Sequence, residues 1–400
     1  LRDGAAQDRN GDALRDNIPY FEDHHYEIRE LVHRYATEQI APRAAHLDET
    51  KEFPFETVAE LKEMGLLGVP FSEEWGGAGL DHLAYTITVE EISRACGATG
   101  LTVAAHTSLG TNPIYEFGND LQKEKYLRRL ASGEILGAFG LTEPEAGSDA
   151  GATRTTAVRD GDDWIINGTK VYCTNGTHAS TVIITARTDP DKPGHAGVTA
   201  FIVEREWEGV KLGTLEDKLG VRASDTRELV FENVRVPDEN RLGEVGTGFK
   251  KFMKTLDSGR ISIGIMAVGI AQGALDVALP YASERKQFGR SIGEFGGIRE
   301  RLADMIADVH VSRLACYHAA ALKDRGEDVN FPASIAKLHA SEAAMRVTDS
   351  AIQIMGGNGF SREFPVERMY RDAKLCEIGE GTSEIQRMVL ARSMLKTVEP

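Results

Sequence analysis

The chain has 400 residues, 41% hydrophobic and 27% charged. That is a globular composition, which excludes global disorder and, at about 100–200 residues per domain, predicts two or three domains. With 46 basic against 62 acidic side chains the net charge is −16, which opposes a nucleic-acid backbone or an anionic membrane surface as the main partner. A small anionic ligand stays open, because helix ends bind anions even on acidic proteins. Cys96, Cys173, Cys316 and Cys376 are scattered, with no C-x-x-C and no Cys/His set at zinc spacing. Reduced thiols, a reducing compartment and no metal centre are therefore expected. The longest uncharged run, residues 95–115, contains His106, Asn112 and Pro113 and makes a poor membrane span. Residues 1–17 mix Arg and Asp with no apolar core, unlike a secretory or transit leader.

In chain order, residues 20–129 carry a helical period. Ile28, Leu31, Val32 and Tyr35 recur at three and four, as do Val58, Leu61, Met64 and Leu66. A glycine-rich break follows Trp75. Residues 137–245 turn short and β-rich, with Asn167-Gly168 predicting a hairpin turn between two apolar runs. Further strands are expected at 182–186, 198–203, 229–231 and 234–236, the last ended by Pro237. After Gly248 the helical period returns, with Phe249, Phe252, Met253 and Leu256 on one face and Leu302, Met305, Ile306 and Val309 on another. A third long helix is predicted over 333–355, ended by Gly356-Gly357. Ser383 and Gln386 have capping-box spacing and predict a last helix with Ile385, Met388, Val389 and Leu395 inward.

P-loop, G-x-S-x-G, H-E-x-x-H and strand-linked G-x-G-x-x-G motifs are all missing, which removes the main support for an NTPase, a serine hydrolase, a zinc protease or a Rossmann fold. Three segments dense in Gly, Thr, Ser and acids remain. Residues 140–152 (GLTEPEAGSDAGA) form either an anion nest at Gly147 and Ser148 or a plain surface turn. Residues 353–360 (QIMGGNGF) allow close backbone approach to a bulky ligand, or simply end a helix. In residues 377–383 (EIGEGTS), Glu380 stands between glycines just before a helix. It is either a carboxylate aimed into a cavity or an acid favourably placed at a helix start.

Taken together, these segments resemble the acyl-CoA dehydrogenase family. Residues 140–152 fit its first signature, and residues 353–372 its second, with Gly356, Gly357, Gly359, Glu363, Arg368 and Asp372 in place. Asn167-Gly-Thr-Lys170, Thr174-Asn-Gly176, Ser224-Asp-Thr-Arg227, Asp257 to Arg260 and Arg285-Lys-Gln-Phe-Gly289 match in order, so the resemblance spans about residues 20–398. It implies an α+β fold: an N-terminal helical domain (18–135), a middle β-barrel or sandwich domain (136–247) and a C-terminal four-helix bundle (248–400).

The activity implied is FAD-dependent oxidation of the Cα–Cβ bond of an acyl-CoA thioester to a trans-2-enoyl-CoA. Glu380 would be the base, with its own backbone N–H and a flavin hydroxyl on the thioester oxygen. The other base position used in the family falls here on Gly259, which has no side chain. Implied FAD contacts are Phe139, Leu141, Thr142, Gly147, Ser148, Tyr172 (Trp in many relatives), Thr174, Thr382 and Glu384. Arg285, Phe288, Gln353, Gly356 and Gly357 would reach the FAD of a neighbouring subunit. Substrate contacts would be Ser148, Asp257, Arg260 and Gly381, with a structural ion pair as the alternative for Arg260.

Gly379 replaces the family's Tyr and implies a wider pocket for a branched, cyclic or otherwise bulky acyl group. Gly296 replaces a Gln and implies one lost adenine contact. The resemblance further implies a homotetramer built as a dimer of dimers, an electron-transfer flavoprotein as acceptor, and a location in a bacterial or archaeal cytoplasm or a mitochondrial matrix. It leaves open an acyl-CoA oxidase, a decarboxylating dicarboxylyl-CoA dehydrogenase and a flavin-free acyl-CoA-binding scaffold.

Overall fold

The computed structural model describes residues 18–192 and 194–395, so the charged run at 1–17 lies outside it. In the first part, Asp81 starts the helix His82–Ala95 by accepting the Ala84 N–H at 2.7 Å. Residues 83–93 of that helix are all buried, because further helices cover it on every side. Its buried Glu90 is matched by Arg313, 2.8 Å away, and by the Tyr317 hydroxyl, which keeps the charge partnered in the core. The uncharged run beyond it becomes the helix Gly97–Ala104 and a π-turn Ala105–Thr111.

The middle part is a seven-stranded mixed sheet in the order β1-β4-β2-β3-β7-β6, with β5 also pairing β4. Its strands are β1 (Leu136–Gly140), β2 (Thr156–Asp160), β3 (Asp163–Thr174), β4 (Ala179–Arg187), β5 (Val198–Glu204), β6 (Val210–Leu215) and β7 (Thr226–Pro237). Trp164, Ile166, Val182, Ile184, Phe201, Leu229 and Phe231 fill its core. The hairpin expected at Asn167-Gly168 is not there. Asp160 pairs with Asp163, so the turn is Gly161-Asp162, and β3 runs straight through residues 167 and 168. Gly168 instead marks an irregularity in the β3–β7 register, where a β-carbon would lie 2.7 Å from Thr155 Cα. Asn167 exchanges hydrogen bonds with Asn233 across that irregularity, at 2.8 and 3.2 Å. The strands expected at 229–231 and 234–236 are one strand, β7.

The C-terminal part contains helices Gly248–Glu284, Gly296–Asp324, Asn330–Met355 and Val366–Ile378, with Ser383–Leu395 alongside. By length and mean hydropathy Gly248–Glu284 is apolar enough to cross a membrane, yet 89% of its most apolar stretch is buried inside the protein. Its apolarity belongs to a core helix. The last helix departs from expectation twice. Its cap is Thr382, whose hydroxyl accepts the Ile385 N–H at 3.4 Å, while the Ser383 hydroxyl is buried without a partner. Met388 and Leu395 are exposed rather than inward, because the buried stripe runs through Ser383 and Gln386.

Candidate active site

Glu380 lies in the four-residue link, Gly379 to Thr382, between helices Val366–Ile378 and Ser383–Leu395. Its φ is +54° and that of Gly381 is +96°. The left-handed conformation is costly for a glutamate, and strain of this kind gathers at functional sites. The kink turns the carboxyl group back into the bundle, onto helix Gly248–Glu284 at Gly259. A β-carbon at Gly259 would stand 1.8 Å from Glu380 Oε2, so any side chain at 259 would displace this carboxylate. Oε2 is buried and has no hydrogen-bond partner. Burial raises the Glu380 pKa to about 8, against the opposing charges of Arg260 and Lys337.

Arg260, next to Gly259, is buried and donates to Asp257 Oδ1 at 2.7 Å and to Ser334 Oγ at 3.4 Å. Its Nε has no partner. Asn330 also donates to Asp257, at 2.7 Å, and burial raises the Asp257 pKa. The structural ion pair considered for Arg260 therefore exists, and the same guanidinium adds positive charge around Glu380.

The sequence reading missed two residues of this site. Lys337, fully buried, donates from Nζ to Gly381 O at 2.8 Å. Gln386 donates from Nε2 to Glu380 O at 3.2 Å and to Gly381 O at 3.0 Å. Lys337 carried a legible signal, since it lies on the same helical stripe as buried Ala333, Ala336, Ala340 and Ala344.

On the sheet side, the Val171 N–H donates to Thr142 O at 2.9 Å, bringing Leu141 and Thr142 beside Tyr172 and Thr174. Tyr172 has a φ of +58° and is 64% exposed. Beneath it the fully buried Lys170 Nζ binds Glu143 Oε1 (2.6 Å), Thr185 Oγ1 (3.1 Å) and Leu141 O (3.2 Å). Glu143 accepts the Arg154 and Thr155 N–H groups at 2.6 and 3.1 Å. One ion pair thus ties both ends of the 140–155 loop to β3. Gly147 and Ser148 are exposed on that loop. Phe139 stacks on Phe252 with centroids 4.2 Å apart.

Three family models match the chain in sequence: "Acyl-CoA dehydrogenase, N-terminal domain" over residues 22–134, "middle domain" over 138–234 and "C-terminal domain" over 246–395. The chain belongs to the acyl-CoA dehydrogenase family. It is 52% identical over 369 residues to "Probable acyl-CoA dehydrogenase YngJ" of Bacillus subtilis, covering 92% of this chain and 97% of that protein. It is 49% identical over 369 residues to "Acyl-CoA dehydrogenase, short-chain specific" of Clostridium acetobutylicum, with the same coverage. Among solved structures, butyryl-CoA dehydrogenase from Megasphaera elsdenii superposes with a TM-score of 0.92 at 43% identity, covering 94% of this chain and 99% of that one.

The remaining acyl-CoA dehydrogenase positions fall into two groups. Thr382 and Glu384 stand at the start of the last helix, close to Glu380 in the chain, with Glu384 exposed. Arg285, Phe288, Gln353, Gly356 and Gly357 gather elsewhere and are all exposed. The Tyr281 hydroxyl donates to Met355 O at 3.4 Å and accepts from Asn358 Nδ2 at 3.1 Å, joining the two helix ends that carry them. Phe288 and Gly289, both with positive φ, form the tip of the hairpin Lys286–Gln287/Arg290–Ser291, and Phe288 is 94% exposed there. Along helix Gly248–Glu284 this group stands about 36 Å from Arg260, at 1.5 Å per residue. One chain therefore does not bring Arg285 and Phe288 to the Glu380 side. Gly296 is exposed, with open space where a side chain would be.

The residues fit a flavin on their donor chemistry. An exposed tyrosine stands on β3 two residues before Thr174, with Thr142 bonded to the adjoining Val171, and Thr382 opens a capped helix start. His24, His25 and Asp81 also gather on one side of the N-terminal part. His25 Nδ1 accepts the Glu22 N–H at 2.9 Å, so Nε2 carries the proton it gives to Asp81 at 3.0 Å. Asp81 in this set also caps the helix His82–Ala95.

Proposed function

We propose that this chain is a FAD-dependent dehydrogenase that converts a short acyl-CoA thioester to its trans-2-enoyl-CoA, with Glu380 as the base. The observation that carries the reading is the Glu380 carboxyl group, buried against Gly259 with one oxygen unpartnered. A carboxylate of ordinary pKa, near 4.3, is a weak base for a carbon acid. Burial lifts Glu380 to about 8, so taking a proton from Cα removes a buried charge and the transfer is assisted. By family resemblance, the Glu380 backbone N–H holds the thioester oxygen and stabilises the enolate character that develops there. FAD, when bound, supplies the hydride acceptor for Cβ. Leu141, Thr142, Ser148, Tyr172 and Thr174 would hold it from the sheet side, and Thr382 and Glu384 from the helix side.

The short acyl group rests on the names of the relatives, short-chain specific and butyryl-CoA dehydrogenase. Gly379 adds room beside the base: a β-carbon there would meet nothing nearer than Leu375 O at 3.5 Å. A small branch on the acyl group is therefore compatible. The exposed Arg285–Phe288 and Gln353–Gly357 group supports a homotetramer in which it completes a neighbour's FAD site. An electron-transfer flavoprotein as acceptor and a cytoplasmic location follow from the family resemblance and from the bacterial relatives.

Anaerobic titration of the flavoprotein with linear and branched acyl-CoA thioesters tests this reading, with flavin absorbance as the signal. The wild type is expected to bleach with four-carbon substrates, and Glu380→Gln to bind them without bleaching. Near-normal bleaching in the variant would remove the base assignment. Oxygen consumption without an added acceptor would move the reading to an oxidase.

A further inference from the structure

We propose that Lys337 is a positioning residue for the Glu380 base, holding the Glu380–Gly381 turn by its backbone and setting positive charge beside the carboxylate. The inference rests on the reading of Glu380 as base. Three observations carry it. Glu380 has a positive φ, a conformation that in a non-glycine residue persists only where the surroundings over-determine it. Both carbonyls of the turn are held from inside the protein: Gln386 bridges Glu380 O and Gly381 O, and Lys337 Nζ takes Gly381 O at 2.8 Å. Lys337 is fully buried, on a helix face otherwise made of alanine and serine.

A buried ammonium is an expensive way to hold one neutral carbonyl, because an uncharged amide would make the same bond without the desolvation cost. The charge is explained by what it faces. The charges of Arg260, on helix Gly248–Glu284, and Lys337, on Asn330–Met355, both act on the Glu380 carboxyl group, which in turn acts on the buried Tyr85 hydroxyl of the N-terminal part. Glu377 and Cys376 face Lys337 from the chain just before the turn. Arg260 is already engaged by Asp257 at 2.7 Å, whereas Lys337, among the described residues, hydrogen-bonds the turn itself. Lys337 thus supports the ionised base without forming a direct ion pair that would pin the carboxylate away from substrate. Burial brings the Lys337 pKa down to about 8, close to that of Glu380. The Lys337 charge opposes the upward push of burial on Glu380, so removing it moves the base's pKa further upward.

The test uses the holoenzyme and four variants, Glu380→Gln among them. Lys337→Gln keeps a hydrogen-bond donor and loses the charge, Lys337→Met loses both, and Gln386→Leu loses the neutral clamp alone. Flavin reduction by saturating substrate is followed against pH, and the Glu380 carboxyl stretch is followed by isotope-edited infrared spectroscopy. At pH 7, Lys337→Gln is expected to reduce flavin about tenfold or more slowly, with its pH–rate profile and carboxyl titration displaced to higher pH and substrate affinity unchanged. Lys337→Met should fall further. Gln386→Leu should slow reduction with no displacement of the carboxyl titration, a split that a purely structural lysine would not produce. An undisplaced titration and a wild-type rate in Lys337→Gln would overturn the inference. If Lys337→Met does not fold, the Gln variants at 337 and 380 still decide. Normal bleaching in Glu380→Gln sinks the base reading itself, and an inactive Glu380→Gln beside a normal Lys337→Gln sinks the lysine alone.

Discussion

Gly259 and Glu380 occupy a single space: the carboxyl group of one lies where the other would have its β-carbon, 1.8 Å from Oε2. The absence of a side chain at 259 is thus a steric requirement of the base at 380. Gly259→Ala must push the carboxyl group aside by an ångström or more. Displacements of that size cost about 100-fold in rate when they move a reacting group. The expected result is a folded flavoprotein with normal flavin content and kcat reduced by about that factor. Wild-type kcat in Gly259→Ala would show that the carboxyl group does not work from this position.

Glu380 also has a thermodynamic signature. Its folded-state pKa is raised from 4.5 to about 8, so the folded protein binds a proton that the unfolded chain releases between those values. Stability from this group is fully present below about pH 4.5 and declines as pH rises towards 8. Glu380→Gln removes the decline. The variant should match wild-type stability near pH 4.5 and exceed it near pH 8 by on the order of a few kcal/mol, with a correspondingly higher unfolding temperature. Above pH 8 the depressed pKa of Lys337 acts in the opposite sense. Calorimetry across this range checks the divergence, and parallel curves would refute it.

Gly379 has φ −63° and ψ 149°, a backbone open to any residue, and nothing within 3.5 Å of a would-be β-carbon. Gly379→Tyr should therefore fold normally and fill the space beside the base. Relative to a linear four-carbon acyl-CoA, kcat/KM for a branched one should fall about tenfold or more. Equal losses for both would mean that residue 379 does not shape the acyl pocket.

The Lys170–Glu143 pair is buried on both sides, with Glu143 also accepting two backbone amides. Lys170→Met leaves that carboxylate unpaired, a change that typically costs about 3–5 kcal/mol. Because the pair ties the 140–155 loop to β3, flavin affinity should weaken along with thermal stability. Restoring neutrality with Glu143→Gln in the same chain should recover part of the stability, and equal melting temperatures for the single and double variants would contradict the account.

The α–β–α order was legible because hydrophobic period changes from helical to alternating and back, and burial enforces those periods. Glu380 was legible through its glycine neighbours and its place in the family motif. Asn167-Gly168 misled because the same dipeptide serves a hairpin or an irregular register, and the neighbour that decides, Asn233, lies 66 residues further on. Met388 and Leu395 misled because apolar spacing cannot distinguish a chain's own core from a surface left for something else. The burial of Lys337 was legible in its alanine stripe, but its target and that of Gln386 were not, because both hold backbone carbonyls of residues 380 and 381, and carbonyls carry no sequence identity.

Helix Gly248–Glu284 has Gly259 and Arg260 in its first half and delivers Arg285 and Phe288 just beyond its other end. With shared flavin sites as proposed above, the consequence is genetic. A chain spoiled at Gly259 still lends a sound hairpin tip to its neighbour, and a chain spoiled at Phe288 still houses a sound base. Mixed assemblies of two individually inactive chains should then regain intact sites, so damage at opposite ends of one helix should complement, whereas two lesions at the same end should not.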